Sequence, residues 1–236
     1  MTDPGDTGTT SPSGNGGRRP PARRGIETRD AIDRAAIELF ARLGYNATSM
    51  RAIADAADVQ PAAIYHWYPG KESILTSLQD DFMERLSEVV ENAMEKAEGP
   101  IGRLSAAVYG HVVFHGLNAR AAFVTDSEIR ALSPEPRELL IKKRDAYQEM
   151  FRQMIVDGIA DGGFTTSDAS VATYAILLQC TGVALWFNPD GPLELERVGE
   201  LHVELVLSSL RTPPEKIDFA LERLPDGTAN PTNRGE

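Results

Sequence analysis

The sequence predicts an all-α protein, an N-terminal three-helix domain joined to a larger helical domain, and three observations carry that expectation. Apolar residues recur at spacings of three and four from Ile32 to Leu210, the period of helices with one buried face. No segment alternates apolar and polar residues long enough to read as a strand. Glycines, prolines and small hydroxyl or carboxyl residues divide the chain where helices would start and stop. The expected organisation is a tail over residues 1–25, a first domain over 26–75, a second over 76–211 and a further tail over 212–236.

Residues 1–25 are rich in Gly, Pro, Ser and Thr and nearly without apolar side chains, so they bury no core. The first helix carries Ile32, Ala35, Ala36, Leu39, Phe40 and Leu43 on one face, and Gly44 is placed as its left-handed C-terminal cap. Thr48 or Ser49 caps a second helix whose inward face is Met50, Ile53, Ala54 and Ala57. Ala57-Asp58-Val59 reads as a turn. Gln60-Pro61 opens a third helix, because a proline in the first helical position has no N–H to leave unpaired. Ile64 points back to the core, and the aromatic cluster Tyr65 to Tyr68 precedes Lys71-Glu72. A long helix over 71–98 follows, with Ile74, Leu78, Phe82, Leu86, Val89, Val90 and Ala93 as its stripe, and Gly99-Pro100 ends it. Helices are expected over 101–117, 120–132 and 134–158. Asp161 to Phe164 is a loop, and Thr166 or Ser167 caps an uncharged helix reaching Phe187. Asn188 to Pro192 is a turn by composition, and 194–210 is the last long helix. In the tail beyond it, Ile217, Phe219, Leu221 and Leu224 form a candidate docking strap.

The two short helices between Thr48 and Trp67 have the layout of a helix-turn-helix, which offers its second helix to the major groove of duplex DNA. Gln60, Pro61, Ala62, Ala63 and His66 lie at the groove-facing end. Gln60 can make paired hydrogen bonds to adenine, whereas Pro61, Ala62 and Ala63 offer only apolar contact to thymine methyls. Residues 29–75 resemble the N-terminal domain of the tetracycline-repressor (TetR) family of bacterial transcription regulators. The matching residues are Phe40, Gly44, Thr48, Ile53-Ala54, Val59, Ile64-Tyr65, Trp67-Tyr68, Lys71-Glu72 and Leu75. Asp58 stands where that family usually has Gly, and Gln60 where it usually has Ser or Thr. The resemblance implies phosphate contacts by Thr48, Tyr65, Trp67 and Lys71, contacts that set register without reading sequence. It also implies a homodimer on an operator, a repressor released by a small molecule. At least one of Tyr65 and Tyr68 is expected to pack the three helices together. Arg18, Arg19, Arg23 and Arg24 are a candidate arm for the minor groove.

Charge and cysteine usage narrow the alternatives. The net charge is −11, but nine basic and nine acidic residues cancel up to Leu75, so the whole excess lies beyond it. Local, shape-matched phosphate contact fits that distribution; broad coating of nucleic acid does not. The single cysteine, Cys180, allows neither an intrachain disulfide nor a multi-cysteine zinc site and fits a reducing cytoplasm. The N-terminus lacks the apolar segment of a cleavable signal. Residues 169–187 carry no charge, yet Asp168 and Asp190 flank them where a membrane span would show basic residues. A soluble helix buried on nearly all sides is expected instead. No phosphate-cradling loop, nucleophile elbow or carboxylate pair points to an enzyme, and no cofactor is implied. The competing reading is a helical protein-interaction module without specific DNA binding.

Mid-domain helices supply walls for an effector in Phe114, Phe123, Tyr147, Met150, Phe151, Met154 and Trp186, with Gln179 as a polar group on an apolar helix. Gly110, Gly116 and Gly182 leave room. The stretch Trp186 to Leu193 is similar to TetR regulators of lipid, steroid or acyl-coenzyme A breakdown, which implies an acyl or ring-bearing thioester effector. Arg130, Arg137, Lys142, Lys143 and Arg144 are candidates for its phosphates. His111 and His115 stand one helical turn apart, a spacing that can hold a metal, but no cysteine or suitably placed Glu lies near, and a polar-pocket role is expected. The last two long helices are more apolar than one domain can bury. Pairs of them from two chains are expected to form a four-helix bundle.

Overall fold

The structure, a computed structural model, describes residues 21–225. Arg18 and Arg19 of the candidate arm and residues 226–236 of the expected C-terminal tail lie outside them. Among the described residues there is no strand.

The first helix, α1 (Pro21–Leu43), begins inside the stretch expected to be an unstructured tail. Arg23 and Arg24 therefore belong to a helix rather than to a flexible arm. Proline is at home in a first helical turn and Ala and Arg are strong helix formers, so no burial is needed to extend α1 backward. At its other end Gly44 takes φ +82° and returns its N–H to the Phe40 carbonyl at 2.9 Å. Ser49, not Thr48, caps α2 (Met50–Ala56): its hydroxyl accepts from the Ala52 N–H at 3.1 Å, a bond worth about 1 kcal/mol to such a helix. Asp58 turns the chain at φ +55°, and α3 (Pro61–Trp67) follows with Gln60 as a cap residue that makes no side-chain cap bond. Ile32, Ala36, Phe40, Ile53, Ala54, Ile64, Ile74 and Leu75 form the fully buried centre of this domain.

The long helix α4 (Lys71–Met94) leads into the second domain, where α5 (Gly99–Leu117) is the central rod, buried continuously from Leu104 to Val112. Around it pack α4, α7 (Pro134–Ala160), α8 (Ala169–Thr181) and α10 (Leu195–Ser209). The helix expected over 120–132 is α6 (Ala119–Ser127) followed by a 3-10 turn, Ile129–Ala131. The expected uncharged helix is also two pieces, α8 and the single turn α9 (Val183–Trp186), separated at Gly182. Residues of the expected strap form α11 (Pro214–Leu221), which buries Ile217 and Ala220 but leaves Phe219 outside beneath the Arg223 guanidinium.

One expectation about burial fails. Only Thr173, Ile176, Cys180 and Val183 of the 169–187 segment are buried, while Val171, Tyr174, Leu178 and Leu185 are 59–77% exposed. A helix apolar on every side gives no periodic signal of which face meets the core, and composition alone overstated its burial.

Candidate nucleic-acid interface and polar core

The recognition surface is built by burying one residue of α3 and freeing the rest. Ile64 is fully enclosed; Gln60, Pro61, Ala62, Tyr65 and His66 are exposed, and Ala63 is half-buried. Pro61, Ile64 and Tyr65 border a groove of about 240 Å3 shared with Met50, Arg51 and Asp55 of α2. Arg51, 87% exposed and within ion-pair reach of Asp55 at 3.9 Å, was not singled out by the sequence, where one arginine on a short helix carries no signal.

The other residues expected at phosphate divide by what they already hold. Thr48 is 2% exposed, and its hydroxyl donates to the Gly44 carbonyl at 2.9 Å and lies 3.4 Å from that of Leu39. It fastens the turn after α1 and does not face outward, a correction to its expected role. The Lys71 ammonium donates to the carbonyls of Tyr45 at 2.6 Å and Thr48 at 2.8 Å and lies 4.2 Å from the centre of the Tyr45 ring. Trp67 is half-buried with its six-membered ring against α1, where a Cβ on Gly25 would come within 3.4 Å.

Tyr68 is the packing tyrosine. Its hydroxyl donates to Asp33 at 2.6 Å and accepts from Arg29 at 3.1 Å, and Arg29 reaches on to Ser77 and Asp81. Burial pushes both the Tyr68 phenol and the Asp33 carboxyl above their ordinary values. These bonds tie α1, the end of α3 and α4 into one rigid head.

Polar contacts also join that head to α6, α7 and the segment between them. The Glu128 carboxylate accepts from the Tyr45 N–H at 3.1 Å, the Glu72 carboxylate accepts from the Ser133 N–H at 2.6 Å, and Arg120 pairs with Glu38 at 3.1 Å. The Ser133 N–H and side chain hold Glu72 below the usual carboxylate range.

Inside the second domain, Phe114, Tyr147, Phe151 and Met154 are buried together. Their centre is polar. His111 and His115 stack at 4.1 Å, and His111 meets the Tyr147 hydroxyl at 2.9 Å and the Thr181 hydroxyl at 3.1 Å. His115 is bonded at Nδ1 to the His111 carbonyl. Burial lowers both imidazoles, His115 to about 4, and raises the Tyr147 phenol and the Cys180 thiol, the latter to about 12. Among the described residues no three His, Cys, Asp or Glu side chains gather as metal ligands.

Other expected wall residues are not in this core. Phe123 is 42% exposed, and Gln179 faces outward on the exposed side of α8. Trp186 is also outside, stacked on His202 at 6.1 Å. Met150 is half-buried and lines a separate cleft of about 400 Å3 with Gly99, Pro100, Arg103, Gln153, Met154 and Asp157. Of the basic residues considered for phosphates, Arg130, Arg137 and Lys142 are exposed on the surface, Lys143 is held by Asp80 and Glu84, and Arg144 turns inward. Gln79 was missed, although it lies four residues after Leu75 and three before Phe82, on the buried stripe of α4.

Residues 32–78 match the family model for bacterial regulatory proteins of the tetR family, and residues 97–210 match the tetracyclin repressor-like C-terminal domain. A solved tetR-family regulatory protein from Rhodococcus RHA1 is 30% identical, with a TM-score of 0.74 over 79% of this chain and 98% of its own. The chain belongs to the TetR family. Its relatives are transcriptional regulators rather than enzymes. The transcriptional repressor KstR2 of Mycolicibacterium smegmatis is 28% identical over 186 residues, covering 77% of this chain and 90% of that one. AibR, solved with isovaleryl coenzyme A and operator DNA, shares the fold at 23% identity and a TM-score of 0.69, covering 75% of this chain and 97% of its own. In this TetR chain the head spans α1 to α3 and the start of α4, and the family's C-terminal domain begins just before α5.

Proposed function

We propose that the protein is a homodimeric repressor that holds an operator with two copies of α3 and lets go when an apolar acyl thioester occupies the second domain. The observation that carries the reading is the division of α3, one face anchored through Ile64 and the other free with Gln60, Tyr65 and His66. A glutamine amide, a phenol and an imidazole supply the donors and acceptors that base edges and phosphates require. The head is fastened by the Arg29–Tyr68–Asp33 bonds, so the presented face keeps one geometry.

Dimerisation is supported by the second domain. Val171, Tyr174, Leu178 and Leu185 form a stripe at helical spacing along α8 and into α9, and Leu205 of α10 is 57% exposed. An apolar stripe of this length on one chain fits a two-fold interface with its own copy. AibR is a neighbour in fold that was solved with both a coenzyme A thioester and operator DNA. That pairing, with the aromatic core of Phe114, Phe151 and Tyr147, supports an acyl thioester as the effector class.

Gel-shift with the protein's own upstream DNA tests the reading. Tyr65→Ala and Gln60→Ala should each weaken a specific complex by about tenfold or more, the loss of one good contact. Isovaleryl-coenzyme A should dissociate the wild-type complex. Absence of any specific duplex after unbiased selection would favour a protein-interaction module instead.

A further inference from the structure

Among the described residues three buried side-chain polar atoms lack a partner, Gln79 Oε1, Arg144 Nε and, beyond the last long helix, Thr212 Oγ1; the first two lie in the second domain and have opposite hydrogen-bonding character. Gln79 on α4 is fully enclosed; its Nε2 donates to the Thr125 carbonyl at 3.5 Å, while its Oε1 accepts from nothing. Arg144 on α7 donates from Nη2 to the same carbonyl at 2.8 Å and to Asp126 at 3.1 Å, while its buried Nε donates to nothing. One free acceptor and one free donor thus approach the end of α6 from two helices. Folded proteins seldom keep such groups unpaired unless something else pairs them.

The surroundings indicate what that is. Gln79 and Phe82 are three apart on α4, and Arg144 and Tyr147 are three apart on α7, so each polar residue has an aromatic neighbour on its own helix face. The Phe82 ring meets Phe114 at 5.1 Å and His115 at 5.5 Å, and Tyr147 meets His111. The charge of Arg144 also contributes to lowering the His115 imidazole. These rings pack against one another, so an apolar body would have to part them, and its polar end would then lie between Gln79 and Arg144. Asp126 already matches the guanidinium, so a second carboxylate there would face a like charge, and a neutral group is preferred.

We propose that Gln79 and Arg144 form the polar end of the effector site and take a neutral group that accepts from Arg144 Nε and donates to Gln79 Oε1. A secondary amide or an alcohol on an otherwise apolar molecule has that chemistry. The proposal rests on the effector-responsive reading above and deepens it. The amide would come from the pantetheine arm of a thioester, the alcohol from a hydroxylated ring.

Calorimetric titration of the full-length protein with isovaleryl-coenzyme A and with cholic acid separates the two sources. Gln79→Leu removes the acceptor, and Arg144→Lys keeps the charge but removes Nε. Both variants should bind one of the probes about tenfold more weakly than wild type, and the probe affected names the source. Gln79→Leu should also raise the melting temperature of the protein without additive by about 3 °C, because it deletes an unpaired buried polar atom. Wild-type affinity for both probes in both variants, or a lowered melting temperature for Gln79→Leu, would overturn the site. If neither probe binds the wild type, release by these thioester or ring ligands fails on its own, and the melting comparison alone decides the site.

Discussion

The recognition helix α3 and the apolar helix α8 both show most of their surface to solvent, and they do so for opposite reasons. α3 buries a single large side chain, Ile64, yet it is held by Pro61 at its start, by the Val59-to-Ala54 bond behind the turn and by the Tyr68 hydroxyl at its end. Its free face sets the polar groups of Gln60, Tyr65 and His66 beside the small apolar Pro61 and Ala62. α8 buries Thr173, Ile176 and Cys180 and exposes a row of larger apolar residues that nothing among the described residues covers. The first helix is complete and waits for a partner of different chemistry. The second is incomplete and fits a copy of itself. On the proposed function exposure marks an interface in both cases, and the chemistry of the exposed atoms says which kind.

The largest effect should come from spoiling the α8 surface. Leu178→Asp, at a position 77% exposed in the single chain, would put a charge into a paired interface at little cost to the monomer. Sedimentation should show monomers at concentrations where wild type is dimeric. Operator affinity should fall by about 100-fold or more, since two linked heads bind far more tightly than one. A variant that remains dimeric would mean that α8 does not form the interface and that the comparison with α3 is mistaken.

A second effect concerns the histidines behind α8. His115 ordinarily titrates at 6.5 and burial holds it at about 4, so between these values the unfolded chain binds a proton that the folded chain refuses. The native state is therefore favoured fully above pH 6.5, and that advantage disappears as pH falls toward 4. The gap corresponds to about 3 kcal/mol, and His111 is displaced in the same direction. Melting curves from pH 7.5 to 4.5 should steepen downward below 6.5 in the wild type, and His115→Gln should flatten them. Unchanged acid sensitivity in that variant would show that other groups set it. The head contains no comparably buried histidine, His66 being exposed, so the second domain should loosen first in acid.

The two regions also differ in how much of them the sequence disclosed. Gly44 and Pro61 each meet a backbone demand tied to one residue type, and Asp58 tolerates a left-handed turn better than most, so the turns around α2 and α3 could be placed from composition at those positions. Ser49 and Thr48 are both good caps, and only the direction of the Thr48 hydroxyl, inward to Gly44, separates their roles. The face of α8 could not be read because its sequence has no polar side to exclude. Gln79 was hidden for a related reason: a lone amide on an apolar stripe looks like noise until its neighbours from α6 and α7 are known.

A third prediction probes whether the head is as self-sufficient as the contrast requires. Lys71→Met keeps the aliphatic stem near Tyr45 but removes the donors to the Tyr45 and Thr48 carbonyls. The Thr48 carbonyl loses its donor, whereas the Tyr45 carbonyl keeps the Thr48 N–H at 3.2 Å, so the change should cost about 1 kcal/mol, read as earlier melting of the head and weaker operator binding. Loss of operator binding with no change in melting would instead assign Lys71 mainly to DNA phosphate.

The smallest effect lies in the turn between α2 and α3. Asp58 holds φ +55°, a left-handed conformation that strains an ordinary side chain and that Asp tolerates better than most. Asp58→Gly removes the strain but loosens the unfolded chain, and the two partly cancel. The balance should favour the variant by about 0.5 kcal/mol, a rise in melting temperature of roughly 1–2 °C. Operator affinity should stay unchanged, because Asp58 precedes α3 and is not among the residues that α3 presents. A fall in melting temperature would mean that the Asp58 side chain supports the turn, and α3 would then owe its aim to that carboxylate as well as to Ile64.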